Sequence, residues 1–481
     1  MKKEVTFALN YALNKGFQIH PDAFKILENV DVKKLEKIIK EIVREKTKQK
    51  LFQINQDDLE TYLGIKEDLD LQSEIKVLSD PTLKITSGEG VKGYNALFSS
   101  RFNKLKRIIS DRPESRMLKS LASIKSAKFE DDLYVCGLVT EKKSERNITK
   151  LMLEDPSGSF EGIIFDDDLQ KTVDTLLLDQ FIMIRVGMGK NSGFIIKDII
   201  FPDIPEQVVN KSETEAYAVF LSDLHIGSKY FMEEEFSDFV AWLSSPDPVA
   251  RKIRFVLIGG DILDGVGIYP NQNKELVCQT IEEQLKKAEG LIDKIPKNIK
   301  IIIMPGNHDP GRRALPQPAI PKKYNSSLWE RENVIMIGNP SMISLNGVKV
   351  LMFHGQSIDD IVKTTPGMKY DEPTNVMRHL LKVRHLSPIY GSQTPIAPEM
   401  EDLLVIEDIP DIFHVGHVHK AQLDMYKGIL LVNSGSWQKQ TPFQASVGMT
   451  PNPGIALMVN LKTFQVFHQN YNSDLDNVLQ S

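Results

Sequence analysis

The sequence predicts a multidomain α+β protein: a helical N-terminal region, a small β-barrel in the middle, and a C-terminal α/β domain that carries the chemistry. Three observations point there. Apolar residues at helical spacing dominate the N-terminal region. The stretch from 116 to 206 reads as short apolar runs separated by turn residues. Beyond residue 212, strand-like runs alternate with helical patterns, and several of those runs end in Asp, Asn or His.

At 481 residues the chain is too long for one ordinary domain. Hydrophobic content of 41% and charged content of 26% are those of a globular protein with ample core. There is no run of about 18 apolar residues such as a membrane span needs, and Met1-Lys2-Lys3-Glu4-Val5-Thr6-Phe7 lacks the apolar segment of a secretory signal. Only Cys136 and Cys278 are present, which excludes a disulfide framework and a Cys-based zinc site and fits a reducing cytoplasm. With a net charge of −6, any grip on nucleic acid has to come from local patches or a partner subunit. Of ten histidines only His20 precedes residue 220, so histidine chemistry belongs to the C-terminal half.

The first domain is expected over residues 1–64. Phe7, Leu9, Ala12 and Leu13, then Val32, Leu35, Ile38, Ile39, Ile42 and Val43, recur at helical spacing. Lys33, Lys34, Lys37, Lys40, Arg44, Lys46, Lys48 and Lys50 fill the other positions of the second segment. They read as a solvated face, with a partner or DNA contact as the other reading. Residues 65–115 read as a linker followed by an amphipathic helix containing Tyr94, Phe98, Arg101, Phe102, Lys104 and Arg107. Its apolar spacing suits packing on a neighbour better than base stacking.

From 116 to 206 five strand runs appear, at Leu133–Val139, Lys150–Glu154, Phe160–Phe165, Phe181–Val186 and Phe194–Lys197, with a helical stretch near 167–176. Five short strands with one helix between the third and fourth is the order of an OB-fold barrel. No row of exposed aromatic or basic residues marks a strand-binding face, so structural or protein-binding use stands beside nucleic-acid binding.

The domain from 212 to 481 holds five apolar runs that each end in metal-ligand residues. They lead into Asp223-Leu224-His225, Gly260-Asp261, Gly306-Asn307-His308-Asp309, His354, and Gly416-His417-Val418-His419. Open α/β sheets place their chemistry at the carboxyl ends of strands. Residues at i and i+2 of an extended segment point the same way, which would let Asp223 and His225 grip one ion. Glycines before Asp261, Asn307 and His417 allow tight turns and close backbone approach. Mixed carboxylate, amide and imidazole ligands suit Mn, Fe, Zn or Co better than Mg. Seven ligands are too many for one ion; they suit two ions about 3.5–4 Å apart that share a carboxylate. An isolated Asp-x-His or lone His is usually structural, and His414, inside an apolar run, is read so. Arg312 and Arg313 could hold phosphate or pair with local carboxylates.

These five stretches together resemble the signature of calcineurin-like metallophosphoesterases, whose α/β sandwich is the fold implied for residues 212–481. The resemblance implies one metal on Asp223, His225, Asp261 and His419 and another on Asp261, Asn307, His354 and His417, with Asp261 bridging. Manganese is the foremost metal implied. A hydroxide activated by both metals would attack phosphorus in line, His308 would stabilise or protonate the leaving oxygen, and Asp309 would orient His308. Gly260–Pro270, Pro316-Gln317-Pro318, Arg384–Gly391, Asn433–Thr441 and the block Leu97-Phe98 to Arg101-Phe102 resemble the small subunits of archaeal family-D DNA polymerases. That likeness, over roughly residues 93–470, implies a 3′→5′ proofreading exonuclease in a heterodimer with a large catalytic subunit. It would act on single-stranded or frayed DNA 3′ ends. Related eukaryotic small subunits have lost metal ligands and serve as scaffolds, so an accessory subunit with little nuclease activity alone is the other implied function.

Overall fold

A computed structural model of the chain describes residues 3–21, 23, 27, 35–48, 51–55, 58–59, 73–124, 133–145, 148–189, 193–324, 326–446 and 448–472. Two compact units result, one of Met1–Gln72 with Ser244–Arg251 and one of Ser73–Leu243 with Lys252–Ser481. Among the described residues no helix is long and apolar enough to cross a membrane.

In the first unit, helices Lys3–Asn14 and Leu35–Lys48 accompany a parallel pair of two-residue strands, β1 (Gln18–Ile19) and β2 (Gln53–Ile54). Val5, Ala12, Leu35, Ile39, Ile42 and Ile54 form its core, which is why the helix periodicity is so clear. Lys37, Lys40 and Arg44 are exposed, and Lys40 stands over the rings of Phe7 and Tyr11. The strand pair is too short to leave a period-two signal, so periodicity alone reads the region as helical. Val32, Lys33, Lys34 and Lys50 lie outside the described residues, as do 65–72 of the expected linker.

The rest of that linker is not loop throughout: β3 (Ile75–Ser79) pairs antiparallel at the edge of a sheet. At five residues, with Lys76 and Ser79 among them, it carries little hydrophobic signal. The helix Gly90–Ile108 follows. It sets Leu97 in the core beside Val376, Leu380 and Leu381 of the Pro373–Val383 helix, and Phe102 and Leu105 against the Cys136, Phe181 and Met183 side chains. Arg101 on that helix is fully buried. Its Nε donates to Asp402 at 2.8 Å and its Nη1 to the carbonyls of Pro388 (2.6 Å) and Asp179 (3.1 Å). A buried charge needs such partners. Packing, not base stacking, is what this helix does.

A closed five-stranded barrel comes next. The short β4 (Leu118–Lys119) lies parallel to β5 (Leu133–Glu145), which is followed by β6 (Ile148–Asp155) and β7 (Gly158–Ile164). Helix Asp167–Asp174, N-capped by Asp166, leads to β8 (Phe181–Met188) and β9 (Phe194–Ile200). The order β5-β6-β7-β9-β8 closes because β8 also pairs with β5. Inward Val135, Leu151, Phe160, Ile184 and Ile196 fill the barrel.

The remaining strands make two six-stranded sheets. β10 (Tyr217–Leu221), β11 (Ile253–Gly259), β12 (Lys300–Met304) and β13 (Val334–Met336) run parallel in the first. β14 (Ser341–Leu345), β15 (Val348–Met352), β16 (Ile412–Val415), β17 (Ala421–Tyr426) and β18 (Ile429–Ser434) join β3 in the second. There β15, β16 and β18 are parallel. β19 (Ile455–Asn460) and β20 (Val466–Asn470) return to complete the first sheet. One core of Phe220, Leu257 and Ile302 with Val350, Ile412 and Val432 joins the sheets face to face. Strands buried on both faces read as continuous apolar runs, and β10, β11 and β16 are buried at every position.

Candidate metal centre

The loops after β10, β11, β12, β15 and β16 converge at the carboxyl ends of the parallel strands. Asp223 and His225 follow β10, Asp261 follows β11, Asn307 and His308 follow β12, His354 follows β15, and His417 and His419 follow β16.

The backbone there is not extended. Asp223 (φ 52°), His225 (49°), Asp261 (50°), His417 (71°) and His419 (56°) are all left-handed. Asp223 and His225 therefore converge through a left-handed turn, in place of the strand alternation expected from their spacing. Left-handed non-glycine residues cost on the order of 1 kcal/mol or more each and cluster where function demands them. The glycines are required by contact: a Cβ at Gly306 would overlap Asp261 Oδ1, and one at Gly416 would overlap Ser222 Oγ.

Two overlapping groups form. His225 Nε2 lies 3.1 Å from His419 Nε2 and 3.8 Å from Asp223 Oδ1, which is 3.5 Å from His419 Nε2. His354 Nε2 lies 3.0 Å from Asn307 Oδ1 and 3.3 Å from Asp261 Oδ2, and His417 brings a ligand atom to the same group. Asp261 Oδ2 joins the two, with His225 Nε2 at 3.9 Å and His308 Nε2 at 4.0 Å. All seven sequence-predicted ligands thus come together.

The donor set fits cations. Asp223 Oδ1 is buried and, among the described residues, receives no hydrogen bond. Two imidazole nitrogens 3.1 Å apart must share a proton or a cation. Burial pushes the Asp223 and Asp261 carboxyls up, but the surrounding imidazoles outweigh it and hold both well below the usual carboxylate range. Burial likewise pushes His225 and His354 down, yet the carboxylates dominate and raise them to about 10 and about 9. The pocket has more negative charge than its own groups balance without taking up protons, the condition a divalent cation relieves.

Outer partners aim the imidazoles. His225 Nδ1 meets Asp264 Oδ1 at 3.1 Å, His354 Nδ1 the Gly259 carbonyl at 2.9 Å, His419 Nδ1 the Gln444 amide at 2.8 Å, and His417 Nε2 the Asp359 carboxylate at 3.2 Å. Gln272 and Gln438 donate to Asp264 in turn. Sequence reasoning misses Asp264, Asp359 and Gln444. Asp264 lies three positions after Asp261 in one loop and could have been suspected, whereas Asp359 and Gln444 carry no local signal.

His308 is half-buried beside the cluster, with Nδ1 2.8 Å from the Asp264 carbonyl. Because a carbonyl only accepts, Nδ1 carries the proton and Nε2 faces the cluster. Asp309, expected to orient His308, is placed otherwise. Its carboxylate accepts from the backbone N–H groups of Gly306 (2.9 Å), Leu263 (3.0 Å) and Ile262 (3.3 Å), tying two ligand loops together. Burial and the Asp261 charge push it up to about 6. Arg312 is paired with Glu399 at 2.6 Å, while Arg313 is exposed. His414 is buried against Ser434 Oγ at 3.1 Å, outside the ligand groups.

Residues 218–423 match the model of the B-subunit family of DNA polymerases alpha and epsilon. The DNA polymerase II small subunit of Archaeoglobus fulgidus is 41% identical over 386 residues, 79% of this chain and 77% of that protein. That of Methanothermobacter thermautotrophicus is 36% identical over 397 residues, covering 80% and 81%. That of Pyrococcus furiosus is 34% identical over 420 residues, covering 84% and 68%.

Proposed function

Because the chain belongs to the family of archaeal DNA polymerase II small subunits, we propose that it is the 3′→5′ exonuclease subunit of such a polymerase. In this reading it hydrolyses DNA phosphodiesters and partners a large catalytic subunit. Residues 116–206 are then an OB fold, supported by the closed order β5-β6-β7-β9-β8, and residues 212–481 a calcineurin-like phosphoesterase domain.

The observation that carries the proposal is the position of Asp261 Oδ2 within reach of both groups of ligand atoms, 3.9 Å from His225 Nε2 and 3.3 Å from His354 Nε2, with His308 Nε2 4.0 Å away. Asp223, His225, Asp261 and His419 would hold one divalent cation and Asp261, Asn307, His354 and His417 a second, manganese foremost with Fe, Zn or Co also suited. When bound, such ions neutralise phosphodiester charge and supply an acidified water. His308, held through Nδ1 by the Asp264 carbonyl, takes up or gives its proton through Nε2, on the side where the leaving oxygen would stand. Asp309 acts at one remove, keeping the loops of Asp261 and Asn307 in register.

Two observations favour the second reading, an accessory subunit with little hydrolysis alone. Arg312 is committed to Glu399, and the chain carries a net charge of −6, so grip on DNA would come from the partner. Release of deoxynucleoside monophosphates from single-stranded DNA by the purified chain, dependent on Mn²⁺ and abolished by chelator, separates the two.

A further inference from the structure

A second cluster of charge lies apart from the metal ligands, in a cavity of about 980 Å³ between the end of β9, the helix Pro373–Val383 and the β17–β18 turn. Arg112, Lys382 and Arg384 line it. Each is held by neutral groups. Arg112 donates Nη1 to the Phe201 carbonyl (2.7 Å) and Nη2 to the Asp203 carbonyl (2.9 Å). Arg384 donates Nη2 to the Glu407 carbonyl (2.6 Å). Its Nε has no acceptor among the described residues, although Arg384 is only 3% exposed. The Lys382 ammonium stands 3.9 Å over the Phe201 ring.

The Asp203 charge reaches all three cations, and those of Glu407 and Asp408 reach Arg384, but none of these carboxylates is bonded to them among the described residues. Asp203 is shared by the Tyr426 hydroxyl (2.9 and 3.0 Å) and Lys427 (2.6 Å). Glu407 takes Lys104 and Arg107, and Asp111 is exposed. Burial pulls Arg112, Lys382 and Arg384 below their ordinary values, Arg384 to about 10 with the Arg112 charge adding to the effect. Arg384 also ends its helix in the left-handed conformation (φ 57°), a position where glycine is favoured.

We propose that this cavity is an anion site for a phosphate group, bound by the guanidinium N–H groups of Arg112 and Arg384 and the ammonium of Lys382. A planar guanidinium presents paired donors that match two phosphate oxygens, and the lysine answers the remaining charge as a point cation. The phosphate comes either from solution, as the free anion or a mononucleotide, or from a DNA strand.

The test uses the full chain in excess chelator, so that the metal centre takes no part. Inorganic phosphate and a single-stranded oligonucleotide are each titrated calorimetrically into wild type, Lys382→Met and Arg112→Gln, with thermal unfolding as the check on folding. Lys382 is half-buried and, among the described residues, meets a ring face and no hydrogen-bond acceptor, so its variant keeps the test available if the Arg112 variant does not fold. Saturable binding of either probe, weakened at least tenfold in the folded variants, is the expected result. Displacement of phosphate by the oligonucleotide assigns strand phosphates as the source, and independent phosphate binding assigns the free anion or a mononucleotide. Binding of neither probe, equal binding by wild type and folded variants, or capture of a polyglutamate peptide but of neither phosphate probe overturns the proposal.

Discussion

Asp264 holds His225 by its side chain, Oδ1 to Nδ1 at 3.1 Å, and holds His308 by its main-chain carbonyl at 2.8 Å. One residue outside the proposed ligand set thus aims both a candidate ligand, His225, and the imidazole of His308. Replacing Asp264→Asn keeps an acceptor for His225 and the carbonyl for His308 but removes a charge. Outer partners of this kind are worth about 10–100-fold in metal affinity. Titration with Mn²⁺ should show weakening within that range, and unchanged affinity would contradict the role.

Asp261 should behave differently. Its Oδ2 is within reach of imidazoles from both ligand groups, and its Oδ1 accepts from the His308 backbone N–H at 2.8 Å. In the proposed two-metal arrangement Asp261→Ala removes the shared oxygen, so both cations would lose a ligand and face each other unscreened. Elemental analysis should then find two equivalents of metal in the wild type and less than one in the variant. Retention of two would refute the bridging assignment.

The buried Arg101–Asp402 pair joins the long helix to the segment that follows Tyr390. Arg101→Met leaves the Asp402 charge buried with no cation beside it among the described residues, answered by the His385 imidazole at 2.9 Å and the Leu404 backbone N–H at 3.0 Å. Breaking a buried pair from one side costs about 3–5 kcal/mol, and denaturant unfolding should register a loss of that order. The double replacement Arg101→Met with Asp402→Leu should recover part of it.

Stability should fall in acid in two stages. Burial, with the Arg101 charge adding, pushes His385 down to about 4, and burial, with Lys382 and Lys142 adding, does the same for His379. His385 Nδ1 accepts from the Ser387 backbone N–H at 3.1 Å, which fixes the neutral ring. Between about pH 6.5 and 4 the unfolded chain therefore takes up protons that the folded chain refuses, and stability declines by about 3 kcal/mol for each imidazole. Asp402 works in the lower window. Burial raises it but His385 and Arg101 outweigh this and depress it, so its contribution is present above the ordinary carboxylate value and lost below. Unfolding midpoints measured from pH 8 to pH 3 should show both stages, the first reduced in a His379→Phe, His385→Gln double variant, with buried His414, pushed down to about 3, supplying what is left.

The candidate ligands are legible because each follows a largely apolar, mostly buried strand, so a polar Asp, Asn or His stands out at its end. The barrel was legible because its strands and their turns are local in sequence. What could not be read was everything set by distant packing. Ile75–Ser79 joins a sheet through partners more than 260 residues away, so nothing near it signals a strand. Asp309 adjoins His308 in sequence, and adjacency suggested that one orients the other. In space the carboxylate turns to the backbone of Ile262, Leu263 and Gly306, because three N–H donors converge there.

Whether the candidate ligands and His308 make a 3′→5′ exonuclease is decided by Mn²⁺-dependent digestion of 3′-labelled and 5′-labelled single-stranded oligonucleotides, with His308→Ala beside the wild type. The 5′-labelled strand should shorten stepwise while the 3′ label is released at once. The variant should keep its metal and lose about a hundredfold or more of the rate, as expected for a group that moves a proton at the reacting oxygen. A wild type that degrades neither strand, alone or with the large subunit, or a variant as fast as the wild type, would contradict the account.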